Sequence, residues 1–331
     1  MKPSTFYMRI FSFLFFIFAT LSAAAEKAVH DHASLAAPAG VMAGHSLPAG
    51  SWMLGYRWIG SFADGIARGE DSISLAEVTA AGFDDAAIHM DMQMSMLELM
   101  YAPTDRLTLM LMPQYMRMDM TMAALPAGTP QRSHDHEGLG DTQLALLWRL
   151  AQHDGHVFRL GIGASAPTGD AARKSDGRYL HYGMQNGSGI WEAMPSLTWN
   201  WQAATWAAGA QLAGRWHLEE KNEAGFRFGD TQTATGWISR TVASSTQLSL
   251  RLAWQTQGQV EGHYSGAHHH HSPPDFQKNY GGRVWSGGIG VNTTLAGLHI
   301  AGEYQVPLQE DWNGIQNSLT ETVAVSVSRG F

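Results

Sequence analysis

Apolar and polar side chains alternate along seven separate stretches of this chain, yet no stretch offers the ~20 consecutive apolar residues of a membrane helix. Alternation is the signature of a β-strand with two unlike faces. In 51–59, Trp52, Leu54, Tyr56 and Trp58 share one face, and Ser51, Gly55 and Arg57 the other. In 141–150, Leu144, Leu146, Trp148 and Leu150 oppose Asp141, Gln143 and Arg149. Phe158, Leu160 and Ile162 oppose Arg159; Leu197, Trp199 and Trp201 oppose Glu192, Ser196 and Asn200; Leu212 and Trp216 oppose Gln211 and Arg215. Leu248, Leu250, Leu252 and Trp254 oppose Gln247, Ser249 and Arg251, and Leu298, Ile300, Tyr304 and Val306 oppose Glu303 and Gln305. The stretch 230–242 is ambiguous and 283–293 is blurred by glycine.

A soluble sheet with one wet face gives the same pattern. Two features favour a membrane barrel instead. Aromatic residues fall near the segment ends, as interfacial girdles do. The connections also alternate, with short turns at 102–105, 151–155, 202–204, 243–245 and 295–297. Long loops fall at 61–87, 123–138, 167–187 and 263–280, with shorter ones at 220–228 and 309–316. Charged residues make up 15% of the chain, below the ~25% of soluble domains. A closed barrel spans lipid with every backbone group paired. The expectation is therefore an all-β, antiparallel transmembrane outer-membrane barrel of about twelve strands. They cover 50–60, 88–101, 106–122, 139–150, 156–166, 188–201, 204–219, 229–242, 246–262, 282–294, 297–308 and 317–331. An even count puts both ends on the periplasmic side.

The first residues read as an export signal. Lys2 and Arg9 precede the apolar run Ile10 to Phe18, and Ala23, Ala24 and Ala25 suit cleavage. The expected organisation is a signal peptide, 1–25, a periplasmic N-terminal segment, 26–49, and the barrel, 50–331. Without Lys2 and Arg9, 19 of the 21 basic residues face 29 acidic ones, so nucleic acid is an unsuitable partner. There is no cysteine, which excludes disulfides and thiolate metal sites. No nucleophile elbow, zinc-protease helix or phosphate loop is present, so no enzyme is expected.

Residues 88–122 hold 11 of the 17 methionines, all at even positions: Met90, Met92, Met94, Met96 and Met100, then Met110, Met112, Met116, Met118, Met120 and Met122. They share a face with Glu98, Arg106, Thr108 and Gln114, while Leu97, Leu99, Leu107, Leu109 and Leu111 take the other. Methionine is therefore expected to line the lumen. With the turn at 102–105, Met96 should lie beside Met110 or Met112, and Met92 beside Gln114 or Met116. Thioether sulfur selects Cu(I) over hard cations, and protonation does not switch it off. Methionine is also a flexible apolar filler that gives a greasy wall. Both meanings stay open. Arg57, Arg106, Arg149, Arg159, Arg215 and Arg251 should turn inward with Glu98, Asp141, Glu192 and Glu303, and Glu98 should neighbour Arg106.

Histidines form a second set. His134, His136 and the run His268, His269, His270 and His271 should lie at the external mouth, with His89, His181, His217 and His263; His30, His32 and His45 precede the barrel. Neutral imidazole suits Cu(II) and Zn(II), with capture weakening below about pH 6. The candidate metal residues are thus these six loop histidines together with Met90, Met92, Met94, Met96, Met110, Met112, Met116, Met118 and Met120, for copper or silver.

The string from Leu99 to Leu109, Gly138-Leu139-Gly140-Asp141, Gly161-Ile162-Gly163 with Ala166-Pro167-Thr168-Gly169, and the terminal Phe331 carry a resemblance. The chain resembles the bacterial outer-membrane transporter-like family named for the meta-pathway of phenol degradation. That resemblance implies a Gram-negative outer-membrane channel for hydrophobic or aromatic compounds, without catalytic residues. The Met- and His-rich pattern is similar to members associated with copper handling. Val323, Val325, Val327 and Phe331 resemble the assembly signal that barrel-assembly machinery reads. The leading expectation is passage or binding of a soft metal ion. The alternatives are a channel for small hydrophobic molecules and a structural barrel without flux.

Overall fold

The computed structural model describes residues 37–126 and 129–331. The export signal and residues 26–36, with His30 and His32, lie outside the described residues. The strands are β1 (Trp52–Gly69), β2 (Asp85–Thr104), β3 (Leu107–Met112), β4 (Gln114–Ala124), β5 (Thr129–Leu139), β6 (Thr142–His153) and β7 (His156–Ala166). There follow β8 (Glu192–Gln202), β9 (Trp206–His217), β10 (Thr231–Ala243), β11 (Thr246–Gln257), β12 (Gly282–Leu295) and β13 (Leu298–Gly330). Each neighbouring pair is antiparallel, and the pairing of β1 with both β2 and β13 closes the sheet.

The ring contains twelve passes. Pro113 has no amide hydrogen and interrupts one pass between β3 and β4. Gly140 and Asp141 interrupt the next between β5 and β6. The 33-residue β13 runs out along β12, reverses near Asn313-Gly314 and returns along β1. Gly314 is left-handed there (φ 66°). Closure brings the two ends together, with Trp52 and Phe331 exchanging backbone hydrogen bonds of 3.0 and 2.8 Å. Short turns share that end. Asp154-Gly155 has φ of 47° and 79°, the double left-handed geometry that a two-residue hairpin needs. The long connections lie at the opposite, external end.

Two expected loops are largely strand. β1 and β2 run past the membrane to 69 and from 85, and most of 123–138 is the second arm of the β4–β5 hairpin. Above the membrane the outer face meets water instead of lipid while the inner face packs under the loops, so the ladder continues after the apolar–polar alternation that revealed it has stopped. Within the membrane the alternation holds. Leu250 is exposed between Ile238 and Ile289, also exposed, on the two neighbouring strands. Trp52 stacks on Tyr101 at 4.3 Å near the periplasmic rim; Trp191, Trp216 and Trp285 stand outward near the external one.

Of the N-terminal segment expected in the periplasm, residues 37–49 sit inside the barrel. The chain descends from mid-lumen to the periplasmic rim. The Gly40 amide donates to Glu303 at 2.6 Å, and the Arg57 guanidinium donates to the Ala39 and Val41 carbonyls. Gln211 donates to the Met42 carbonyl at 2.9 Å, Arg159 to the Gly44 carbonyl at 3.1 Å, and the Leu47 amide to Thr108 at 3.1 Å. These groups come from five passes spread around the wall, so the segment fills the cross-section as a plug. Polar lumen groups that would otherwise need water gain backbone partners, at about 1 kcal/mol net per bond.

Candidate functional site

The methionine ladder follows from two inward faces of adjacent passes. Met100 opposes Met110, Met96 opposes Gln114, Met94 opposes Met116, Met92 opposes Met118 and Met90 opposes Met120. This register differs by two to four residues from the expected one. The β2 ladder runs to Thr104 with an irregularity after Tyr101, and the tight turn is Asp105-Arg106 instead of 102–105. The same shift corrects Arg106, which is an exposed turn residue outside the lumen and is no neighbour of Glu98. Glu98 pairs instead with Arg57 at 3.3 Å.

The plug divides the ladder in two. Below, Met96, Met100, Met110 and Met112 are buried with Met53 and Leu147 against Ala39 and Leu47 of the plug. Above, Met90, Met92, Met94, Met116, Met118 and Met120 line one wall of a cavity of about 740 Å³. Gly40 and Met42 of the plug form its floor. The facing wall carries Gln211, Thr233, Thr235, Arg251 and Gln255. The cavity is therefore two-faced, soft and apolar on one side and hydrogen-bonding on the other.

The lumen charges are mostly paired. Arg251 meets Glu303 at 3.2 Å and also donates to Thr235 at 2.8 Å. Glu192 accepts from Arg215 at 3.1 Å and faces His217 Nε2 at 3.0 Å, whose Nδ1 lies 3.0 Å from Asp230. Asp141 accepts from the Gly169 and Ser188 amides and the Ser188 hydroxyl, at 2.7–2.9 Å, and so ties two parts of the loop 167–191 to the break between β5 and β6. Arg159 differs. It is 2% exposed, and its acceptors are all neutral: Asn200 Oδ1 at 2.5 Å, Ser46 Oγ at 3.2 Å and the Gly44 carbonyl. Its ladder neighbour Arg149 donates to Gln152 at 2.7 Å.

External loops roof the cavity. Tyr182, Tyr264 and Phe226 pack together, with Tyr182 and Tyr264 stacked at 4.3 Å. Met184, fully buried, folds down onto Met118, Met120 and Met122. A buried latch joins two loops, with His181 Nδ1 2.7 Å from Asp275 Oδ1. Burial alone would raise the Asp275 pKa; the His181 hydrogen bond and charge, with the Ser272 amide and hydroxyl, outweigh it and bring the carboxyl down to about 2.

The histidines gather at this roof without forming a metal centre. The His134 and His269 rings each lie 5.7 Å from His181, and His268 lies 4.1 Å from His270. His271 reaches Asp84 at 3.6 Å, and His136 is buried in β5. Among the described residues, no three His, Asp or Glu side chains stand in an arrangement able to hold a metal ion. Three features escaped sequence reasoning: the plug, Met184 and the His181–Asp275 latch. Met184 lies outside any alternating segment, and pairs 94 residues apart leave no local signal.

A closed antiparallel sheet with an apolar outer belt, aromatic rims and a polar, plugged interior defines an integral outer-membrane β-barrel. The chain belongs to the family described as the putative MetA-pathway of phenol degradation, whose profile matches residues 100–311. The fold is similar to the crystal structure of an outer-membrane channel from Pseudomonas putida F1, at 16% identity and a TM-score of 0.58, covering 86% of this chain and 97% of that one. The transport unit of the autotransporter AIDA-I from Escherichia coli also matches, at 10% identity and a TM-score of 0.45, covering 91% and 96%. No curated protein sequence matches the chain.

Proposed function

We propose that this barrel is a channel for small, largely apolar molecules with a polar end, aromatic compounds foremost, held between the methionine wall and the Thr/Gln/Arg wall. The observation that carries this reading is the two-faced cavity of about 740 Å³, a size typical of small-molecule sites and much larger than a bare ion needs. Methionine suits such a wall because it adapts to irregular shapes and its sulfur makes favourable contacts with aromatic rings. The family description agrees with it.

A second reading has its own support. Three methionine pairs along the cavity directly oppose one another, Met90 with Met120, Met92 with Met118 and Met94 with Met116. Opposed residues on one sheet face stand about 5 Å apart at Cβ, so paired thioethers could share Cu(I) or Ag(I). The C-terminal strand ending at Phe331 is, on this reading, the segment that barrel-assembly machinery recognises before the barrel closes.

Two sets of replacements separate the readings. Changing Met92, Met94, Met116 and Met118 together to Leu keeps an apolar wall of similar volume; changing them to Thr does not. Calorimetric titration with benzyl alcohol should show affinity kept in the Leu variant and lowered roughly tenfold in the Thr variant, on the scale of ~1.4 kcal/mol. Ag(I) binding lost in the Leu variant, with no benzyl alcohol binding in the parent, would reverse the order of the two readings.

A further inference from the structure

Arg159 poses a chemical problem that the plug solves. Its guanidinium is buried, and all three acceptors are neutral oxygens, two of them supplied by the plug through Gly44 and Ser46. Arg149 lies opposite it in the ladder and is partly exposed toward the periplasmic end, with Gln152 as its neutral acceptor. The other lumen arginines each meet a carboxylate: Arg57 meets Glu98, Arg215 meets Glu192, and Arg251 meets Glu303. The β6–β7 wall thus concentrates unneutralised positive charge where the plug crosses it.

When the plug leaves, Arg159 keeps only Asn200. Water then fills the opened site, and a carboxylate competes with it by offering guanidinium a bidentate, charge-assisted pair stronger than any carbonyl. We infer that Arg159 and Arg149 form an anion site that the plug occupies with its backbone oxygens, and that the ligand displacing the plug carries a carboxylate on an apolar body. The plug is in this sense a neutral stand-in for its own competitor. This rests on the reading of the lumen as a ligand pathway, and it narrows the ligand class to small organic acids. It also makes opening ligand-dependent: a neutral molecule of the same shape fills the methionine-walled cavity without offering Arg159 a replacement partner.

The chain's lack of cysteine makes the test clean. Val41 of the plug is buried and is replaced as Val41→Cys; its reaction with a small neutral maleimide then reports plug release. In the folded barrel, confirmed by heat-modifiable gel mobility, benzoate should raise the labelling rate roughly fivefold or more over an equal concentration of chloride. Benzyl alcohol should leave it within about twofold. Arg159→Gln should abolish the benzoate effect. Asn200→Asp, which gives Arg159 an internal carboxylate and preserves shape, should abolish it too, so the outcome does not hang on one variant folding. Equal acceleration by benzoate and benzyl alcohol, no acceleration by benzoate, or a benzoate effect that persists in Asn200→Asp overturns the anion site. None of these touches the cavity reading, which stands or falls separately on whether benzyl alcohol binds the parent barrel in calorimetry.

Discussion

Deleting residues 37–49 is expected to open the lower lumen to the periplasm. Ala301 is 3% exposed and belongs to the same packed cluster as Ala39 and Leu47. A cysteine placed there, Ala301→Cys, should react with a neutral thiol reagent on the order of a hundredfold faster in the deletion variant than with the plug in place, because protection of a buried site tracks the free energy of local opening. The plug is fixed by hydrogen bonds with groups around the whole wall, donated by Arg57, Arg159 and Gln211 and accepted by Thr108 and Glu303, so its spontaneous withdrawal is rare. Equal labelling rates with and without the segment would mean that it does not close the channel in the membrane. The readout does not depend on the external roof, since the reagent enters from the plug's own side.

A charge on the outer face should be nearly as damaging to stability as the deletion is to closure. Leu250 is 61% exposed, mid-strand, and flanked on adjacent strands by Ile238 and Ile289. Leu250→Arg should cost about 2–4 kcal/mol, the depth-dependent penalty for a cation at the bilayer midplane. Reversible guanidinium unfolding from lipid vesicles reads this as a folding constant lowered by roughly 30- to 1,000-fold. Gln255→Arg, facing the cavity, should cost under about 1 kcal/mol, because a lumen charge keeps its water. If the two variants are equally destabilised, the assignment of faces fails.

What the sequence disclosed depended on where periodicity has a physical cause. Between the two aromatic rims lipid lies on one side and a polar lumen on the other, so Leu248, Leu250 and Leu252 against Gln247, Ser249 and Arg251 could be read directly, and the twelve passes with them. Outside the rims the outer face meets water and no longer selects apolar side chains, and the far part of the β4–β5 hairpin passed for a loop. Parity found the inward face of the methionines but not their partners. Register depends on how a turn closes, and the irregularity after Tyr101 moves every pairing by two to four residues while leaving parity intact. The same turn carried Arg106 out of the lumen. The plug has no regular structure, hence no period; its lumen contacts join residues 8 to 263 positions apart. The roof's histidines were visible as a cluster, but their arrangement around His181 and Asp275 is a tertiary fact.

Methionine methyl groups report directly on whether the methionine-walled cavity receives an apolar ligand. Barrel labelled with 13C-methyl methionine and titrated with benzyl alcohol should show ring-current shifts at Met90, Met92, Met94, Met116, Met118 and Met120, which line the cavity. Met96, Met100, Met110 and Met112, packed beneath the plug, should stay in place. An aromatic ring within contact distance of thioether methyls produces such shifts, and sulfur–aromatic contact is the interaction proposed. Cavity methyls that ignore benzyl alcohol and respond to Ag(I) alone would contradict the account and leave the soft-metal reading in its place.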